Sequence, residues 1–219
     1  MCWNAEVSLN TFVFSTFVLC MIIYNNVYTQ YKILSMHNIW FYLLFFSVFC
    51  MQLVEFFIWR NIRDKYYNTF FSIGAFIVLC LQPFFSLMLI SDINIRNIML
   101  GIYFCMVIPL FLYKVLNTQI YTIITPKHHL LWNFADIKEG ILIKVCWFLY
   151  LFFLLFSYFY NKYHSGYIFI ISILLLVFYN YYQDNSFGSM WCWIININMF
   201  FYAFLILIYL PFCESKTIC

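Results

Sequence analysis

Very few residues of this sequence carry chemistry into an apolar setting. The stretch Gln52-Leu53-Val54-Glu55-Phe56-Phe57-Ile58-Trp59 holds the only carboxylate that falls inside a long apolar run. A charge in hydrocarbon is costly unless it is paired, hydrated or protonated, so Glu55 is where function is first expected. Gln52 lies one helical turn away on the same face. Glu55 stands four residues before the end of its run at Trp59, about 6 Å of helix axis from the boundary, and Asn196 about 9 Å in from the start of the last run. Asn10, near the start of the first run, and Lys114 and Lys144, at the ends of two others, fall at a similar depth. Such a layer would offer a carboxylate its donors in Asn10 and Asn196 and its counter-ion in Lys144. Gln82, followed by Pro83, lies deeper, and with Gln52 and Ser86 it would extend a polar path inward. A small polar or ionic solute is the ligand such a vestibule would take.

Other chemistries find little support. His128-His129 with Asp136 and Glu139 offers ligand types for a metal, but adjacent histidines diverge in any regular element and no His-x-x-x-His or paired cysteine accompanies them. No metal and no cofactor is therefore expected. No Gly-x-Ser-x-Gly, phosphate loop or glycine-rich dinucleotide turn occurs, so an enzyme is disfavoured. A net charge of +3 scattered over single residues argues against nucleic-acid binding. No lysine lies between Met190 and Leu210, which argues against a retinal-type pigment.

The elements that position these residues follow from composition. At 66% hydrophobic, 25% aromatic and 9% charged, with mean hydropathy +0.90, the 219 residues have too little polar surface to cover a globule in water. The fold class expected is all-α, a polytopic membrane protein with a bundle of about seven transmembrane helices, its partner the lipid bilayer, oligomers being compatible. Seven runs approach the length a crossing needs: Val7 to Tyr24, Ile39 to Trp59, Phe70 to Ile90, Ile98 to Leu116, Ile141 to Tyr160, Gly166 to Tyr182 and Met190 to Leu210. Met-Cys-Trp-Asn-Ala-Glu lacks the basic start of a secretory signal, so the first run is read as an anchor. Connectors are short, which makes residues 1–219 a single transmembrane domain of antiparallel neighbours. Only residues 117–140 form a long connector, read as an interfacial cap, with Gln119 to Thr125 extended before Pro126.

Pro211 should end the last helix, while Pro83 and Pro109 should be tolerated inside theirs. Six tryptophans, Trp3, Trp40, Trp59, Trp132, Trp191 and Trp193, are expected at the membrane boundaries. Cysteines occur singly within apolar runs, as small hydrophobes. With 29 Phe and 19 Tyr against 5 Gly, aromatic rings rather than small residues should set the spacing between helices. Seven basic residues fall on the side of the N-terminus (Arg60, Arg63, Lys65, Lys114, Lys127, Lys138, Lys144) and four on the other, which favours a cytoplasmic N-terminus.

Met1-Cys2-Trp3-x-x-Glu6-x-Ser8, Glu55, Gln82-Pro83 and Gly188-Ser189-x-Trp191-Cys192-Trp193 together resemble an uncharacterised family of multi-pass membrane proteins found in large DNA viruses and some single-celled eukaryotes. The resemblance implies a helical membrane bundle and carries over no activity, cofactor or site residue. Two functions compete at this stage: binding or passage of a solute at Glu55, and a structural or interaction protein of a viral or organelle membrane.

Overall fold

Asparagine and aspartate start four of the helices. Asn4 accepts from the Val7 N–H, Asn38 from Trp40, Asp64 from Tyr66 and Tyr67, and Asp92 from Asn94 and Ile95, each filling backbone donors that a first helical turn leaves open. In the computed structural model, which describes residues 4–30, 33, 37–117, 119–125, 128–135, 141–162, 175 and 187–215, these caps open α1 (Ala5–Tyr28), α2 (Ile39–Arg60), α3 (Lys65–Leu87) and α4 (Ile93–Asn117). α5 (Ile141–Tyr160) and α6 (Phe187–Phe204) follow. α3 and α4 each begin five residues before the apolar runs that predict them, because hydropathy cannot see a polar first turn.

Five described helical segments are long and apolar enough to cross a membrane: Ala5–Tyr28, Ile39–Arg60, Lys65–Leu87, Ile93–Asn117 and Asn196–Cys213. Lys144–Tyr160 is a shorter apolar helix. The expected run Gly166 to Tyr182 lies outside the described residues.

Pro211 does not end the last helix. α6 passes through a π-helical turn at Leu205–Tyr209 into Leu210–Ser215. A wider turn just ahead of a proline takes up the missing donor and the bulk of its ring, which is how helices pass such a residue.

Contacts between side chains set the helix directions. Asn26 Nδ2 donates to Tyr42 Oη at 2.9 Å, so α1 and α2 are antiparallel neighbours. Phe57 stacks on Phe71 at 5.0 Å between ring centres across the α2–α3 turn. Phe76 meets Phe111, and Phe84 meets Phe104, which runs α4 back along α3. α5 is parallel to α3: Gln82, Ser86 and Leu89 bond Tyr150, Ser157 and Asn161 in turn. α6 is parallel to α1, with Asn196 on Thr11 and Phe200 against Phe14 at 4.6 Å.

Aromatic rings fill these interfaces, as composition implies. Phe41 and Phe49 of α2, Tyr158 of α5 and Met199 of α6 share one core cluster with Val18, Leu19 and Ile22 of α1. The two glycines whose surroundings are described do not bring helices together. A Cβ on Gly74 or Gly101 would meet nothing within 4 Å. Gly74→Ala and Gly101→Ala are therefore expected to leave the fold intact and to stabilise it by up to about 1 kcal/mol each in thermal unfolding, through reduced freedom of the unfolded chain.

The long connector departs from an all-α fold. Thr122–Ile124 (β1) pairs antiparallel with Leu130–Trp132 (β2), Thr122 opposite Trp132 and Ile124 opposite Leu130. The turn closes through Thr125 and His129, with His128 at φ 58°, a left-handed position histidine accepts better than most residues. The hairpin of this connector packs onto α2 and α3. Ile120, Leu130, Trp132 and Phe134 are buried in one cluster with Met51 and Ile58 of α2 and Ala75 and Phe76 of α3. Trp132 thus belongs to the core rather than to a boundary belt, stacked parallel to Phe134. Hydropathy alone misplaces it because the mostly apolar stretch around it, Leu130 to Ala135, is too short to read as a buried element.

Candidate functional site at the N-terminal end of the bundle

α1 turns a polar stripe inward. Ser8, Thr11 and Ser15 are buried at spacings of three and four residues, and the stripe continues through Val18 and Ile22. α2 turns Met51, Gln52, Glu55 and Ile58 inward, and Gln52 and Glu55 are wholly buried. Register brings the two stripes level. Counting eleven residues back from Asn26 reaches Ser15, and eleven on from Tyr42 reaches Leu53. Four residues further, Thr11 stands level with Phe57, so Ser15 and Thr11 bracket the height of Glu55. From α6, Asn196 Nδ2 donates to Thr11 Oγ1 at 3.0 Å. Ser15 Oγ, also wholly buried, makes no hydrogen bond among the described residues. A buried hydroxyl without a partner is uncommon and leaves a donor and acceptor open on the inner face of α1.

Of the expected site residues, Glu55 and Gln52 are buried one turn apart on α2, and Asn196 of α6 reaches Thr11, near the height of the turn that follows Glu55. Asn10 does not join them: it is exposed, one residue from Thr11, because a step of 100° turns it off the inner face. Lys144 is exposed as well and makes no ion pair among the described residues. The hydrogen bonds of α5 to α3 run from Tyr150 onward, toward the opposite end of the bundle. Of the two lysines expected at helix ends, Lys114 is the buried one.

Gln82 belongs elsewhere. Eleven residues on from Phe71 reaches Gln82, and eleven back from Phe57 reaches Phe46, about 9 Å short of Gln52 along the helix. There it forms a second polar seam between α3 and α5. Tyr150 donates to Gln82 Oε1, Ser86 Oγ donates to the Leu154 carbonyl at 2.5 Å and lies 2.7 Å from Ser157 Oγ, and Asn161 Nδ2 donates to the Leu89 carbonyl. Tyr103 of α4 donates to the Cys80 carbonyl, an acceptor one turn before Phe84 that Pro83 flanks. The Gln82 amide nitrogen is buried without a hydrogen bond among the described residues, while the other bonds of this seam tie α3 to α5.

A third group was hidden from sequence reasoning. Asn68, buried in the first turn of α3, receives the Thr122 N–H at 2.9 Å on Oδ1 and gives Nδ2 to the Thr122 carbonyl at 2.9 Å. Ser72 Oγ lies 2.8 Å from Thr122 Oγ1 and donates to Asn68 Oδ1. The side-chain amide behaves as a third strand for one residue of the hairpin. Asn68 and Ser72 are four apart on one helix face, a spacing visible once α3 is extended to its cap at Asp64.

The described residues include no group of three or more His, Cys, Asp or Glu placed to hold a metal. Cys20, Cys50, Cys80, Cys105, Cys146 and Cys213 are free thiols. Taken together, the long apolar helices and the inward polar stripes define a helical protein compatible with membranes. No family model, curated protein or solved structure matches the chain.

Proposed function

We propose that this chain is a multi-pass integral membrane protein that binds or passes a small polar or ionic solute at the polar layer around Glu55. The observation that carries the reading is one wholly buried acid and one wholly buried amide on α2, with Glu55 between the heights of Thr11 and Ser15 on the buried polar stripe of α1, where Asn196 of α6 bonds Thr11. A scaffold has no use for a carboxylate in that position, since an apolar residue of similar volume would pack there at lower cost. The directions of the described helices are compatible with seven crossings, since α5 and α6 both run the way α1 does.

The test is cation and proton flux into liposomes carrying the purified protein. Wild type should show flux that changes with pH, and Glu55→Gln should lose most of that dependence while folding normally. A rate unaltered by Glu55→Gln across the pH range would remove Glu55 from any charged role. Lys144→Gln and Asn10→Ala, on the outer surface, should leave flux as it is.

One observation favours a second reading. Along α4 only Tyr103 and Lys114 are buried, and Ile98, Ile102, Phe104, Ile108 and Leu112 face outward. A helix so little used by its own bundle suits contact with another subunit, as a structural or interaction protein of a viral or organelle membrane would require. A stable partner retained in mild detergent and lost on Ile102→Ser together with Leu112→Ser would support that reading.

A further inference from the structure

We infer that the cavity between the α2–α3 turn, the end of α4 and β1 binds the headgroup of an anionic phospholipid. The cavity measures about 580 Å³, within the range of small-ligand sites, and it is half open. Its lining divides in two. Arg63, Lys65 and Thr69 supply cations and a hydroxyl, while Ile73, Val115 and Ile123 supply aliphatic surface. Neither Arg63 nor Lys65 forms an ion pair or side-chain hydrogen bond among the described residues, and both are exposed. Among the described residues no carboxylate lines the cavity. The nearest acid in sequence, Asp64, already accepts from the Tyr66 and Tyr67 N–H groups at 3.0 and 3.2 Å. A pair of unengaged cations on the rim of a cavity is a place for a phosphate.

The apolar half decides between a lipid and a soluble anion. α2 ends at Arg60 and α4 at Asn117, so the cavity stands where these helices leave the apolar layer. A phosphate held by Arg63 and Lys65 would have its glycerol and first methylenes directed along Ile73, Val115 and Ile123, whereas a free anion would leave that wall wet. Basic pockets between membrane helices take anionic headgroups by this combination. The inference does not depend on Glu55 or on any solute.

Native mass spectrometry of the delipidated protein, titrated with equal amounts of phosphatidylglycerol and phosphatidylcholine, tests it. Wild type should prefer phosphatidylglycerol, and Arg63→Gln and Lys65→Gln should each lower its retention about five-fold. Val115→Trp, which fills the apolar wall and keeps both charges, should lower it too. Arg96→Gln, at the other end of α4, should not. Equal retention by wild type and the Arg63→Gln/Lys65→Gln double variant would overturn the inference, as would an equal loss in Arg96→Gln. Displacement of the lipid by millimolar inorganic phosphate would assign the cavity to a free anion and overturn it as well.

Discussion

Asn68→Ala should detach the β-hairpin from the bundle and lower stability by about 3 kcal/mol. The alanine removes both partners of Thr122 at once, the acceptor of its N–H and the donor to its carbonyl, in a place where Thr122 is almost wholly buried. A buried backbone group left without its partner costs about 1–3 kcal/mol, and two are orphaned here. The same side chain also donates to the Ile62 carbonyl at 3.1 Å, so the α2–α3 turn loosens with the hairpin. Ser72→Ala removes one hydroxyl contact and should cost about 1 kcal/mol. Because both side chains hold the same threonine, the double variant should cost less than the two single losses combined. Hydrogen exchange separates this from general loosening. In Asn68→Ala the amides of residues 122–132 should exchange much faster while those of Phe41 to Phe49 in the α2 core stay protected. Uniform exchange across both regions would mean that Asn68 serves the fold at large and not the hairpin.

What the sequence makes legible is the solvent and the face, and what it conceals is contact across long separations. Glu55 and Gln52 are readable as inward-facing because α2 is apolar nearly all round, so a polar residue four from its end has to turn toward protein. Asn196 is readable for the same reason. Asn10 misleads, since depth places a residue along the axis but says nothing of its angle around it. The angular signal lies in Ser8, Thr11 and Ser15, whose spacing of three and four marks the inner face and leaves Asn10 off it. Lys144 misleads in another way. It shares Glu55's depth, but the α5 that carries it packs on α3, and no local pattern reveals which of two parallel helices a third will join. Trp132 and Asn68 are the harder cases. Each looks like connector or boundary chemistry until a 54-residue separation is closed between Asn68 and Thr122.

Each polar layer keeps a buried group without a hydrogen bond among the described residues. In the α3–α5 seam Ser86 reaches the Leu154 carbonyl and Asn161 the Leu89 carbonyl, while the Gln82 amide nitrogen is buried and unbonded. On α1 it is the Ser15 hydroxyl, and Asn196 donates to Thr11. Pairing alone therefore does not set the two layers apart; the difference is the wholly buried carboxylate of Glu55.

Trp132→Ala should be the most disruptive single change in the hairpin, costing about 3–5 kcal/mol, as large aromatic truncations in well-packed places do. Trp132 is 5% exposed and lies with Met51 and Ile58, which flank Glu55 at four and three residues on the inner face of α2. Ala75, Phe76 and Leu130 close the cluster, and no neighbour is long enough to refill the space of an indole. The void opens toward the end of the bundle where Glu55 is buried. Truncation should therefore do two things that separate under measurement. Thermal unfolding in detergent should fall by several degrees, and a cysteine placed at Val54, beside the cluster, should react faster with a water-soluble maleimide than in the parent protein. Trp132→Phe keeps most of the ring volume, and the indole N–H forms no hydrogen bond among the described residues. It should recover most of the stability and the slow labelling. If Trp132→Ala destabilises while labelling at Val54 stays slow, the hairpin packs beside the Glu55 layer without covering it, and the way for water to reach the acid lies between α1 and α6 instead.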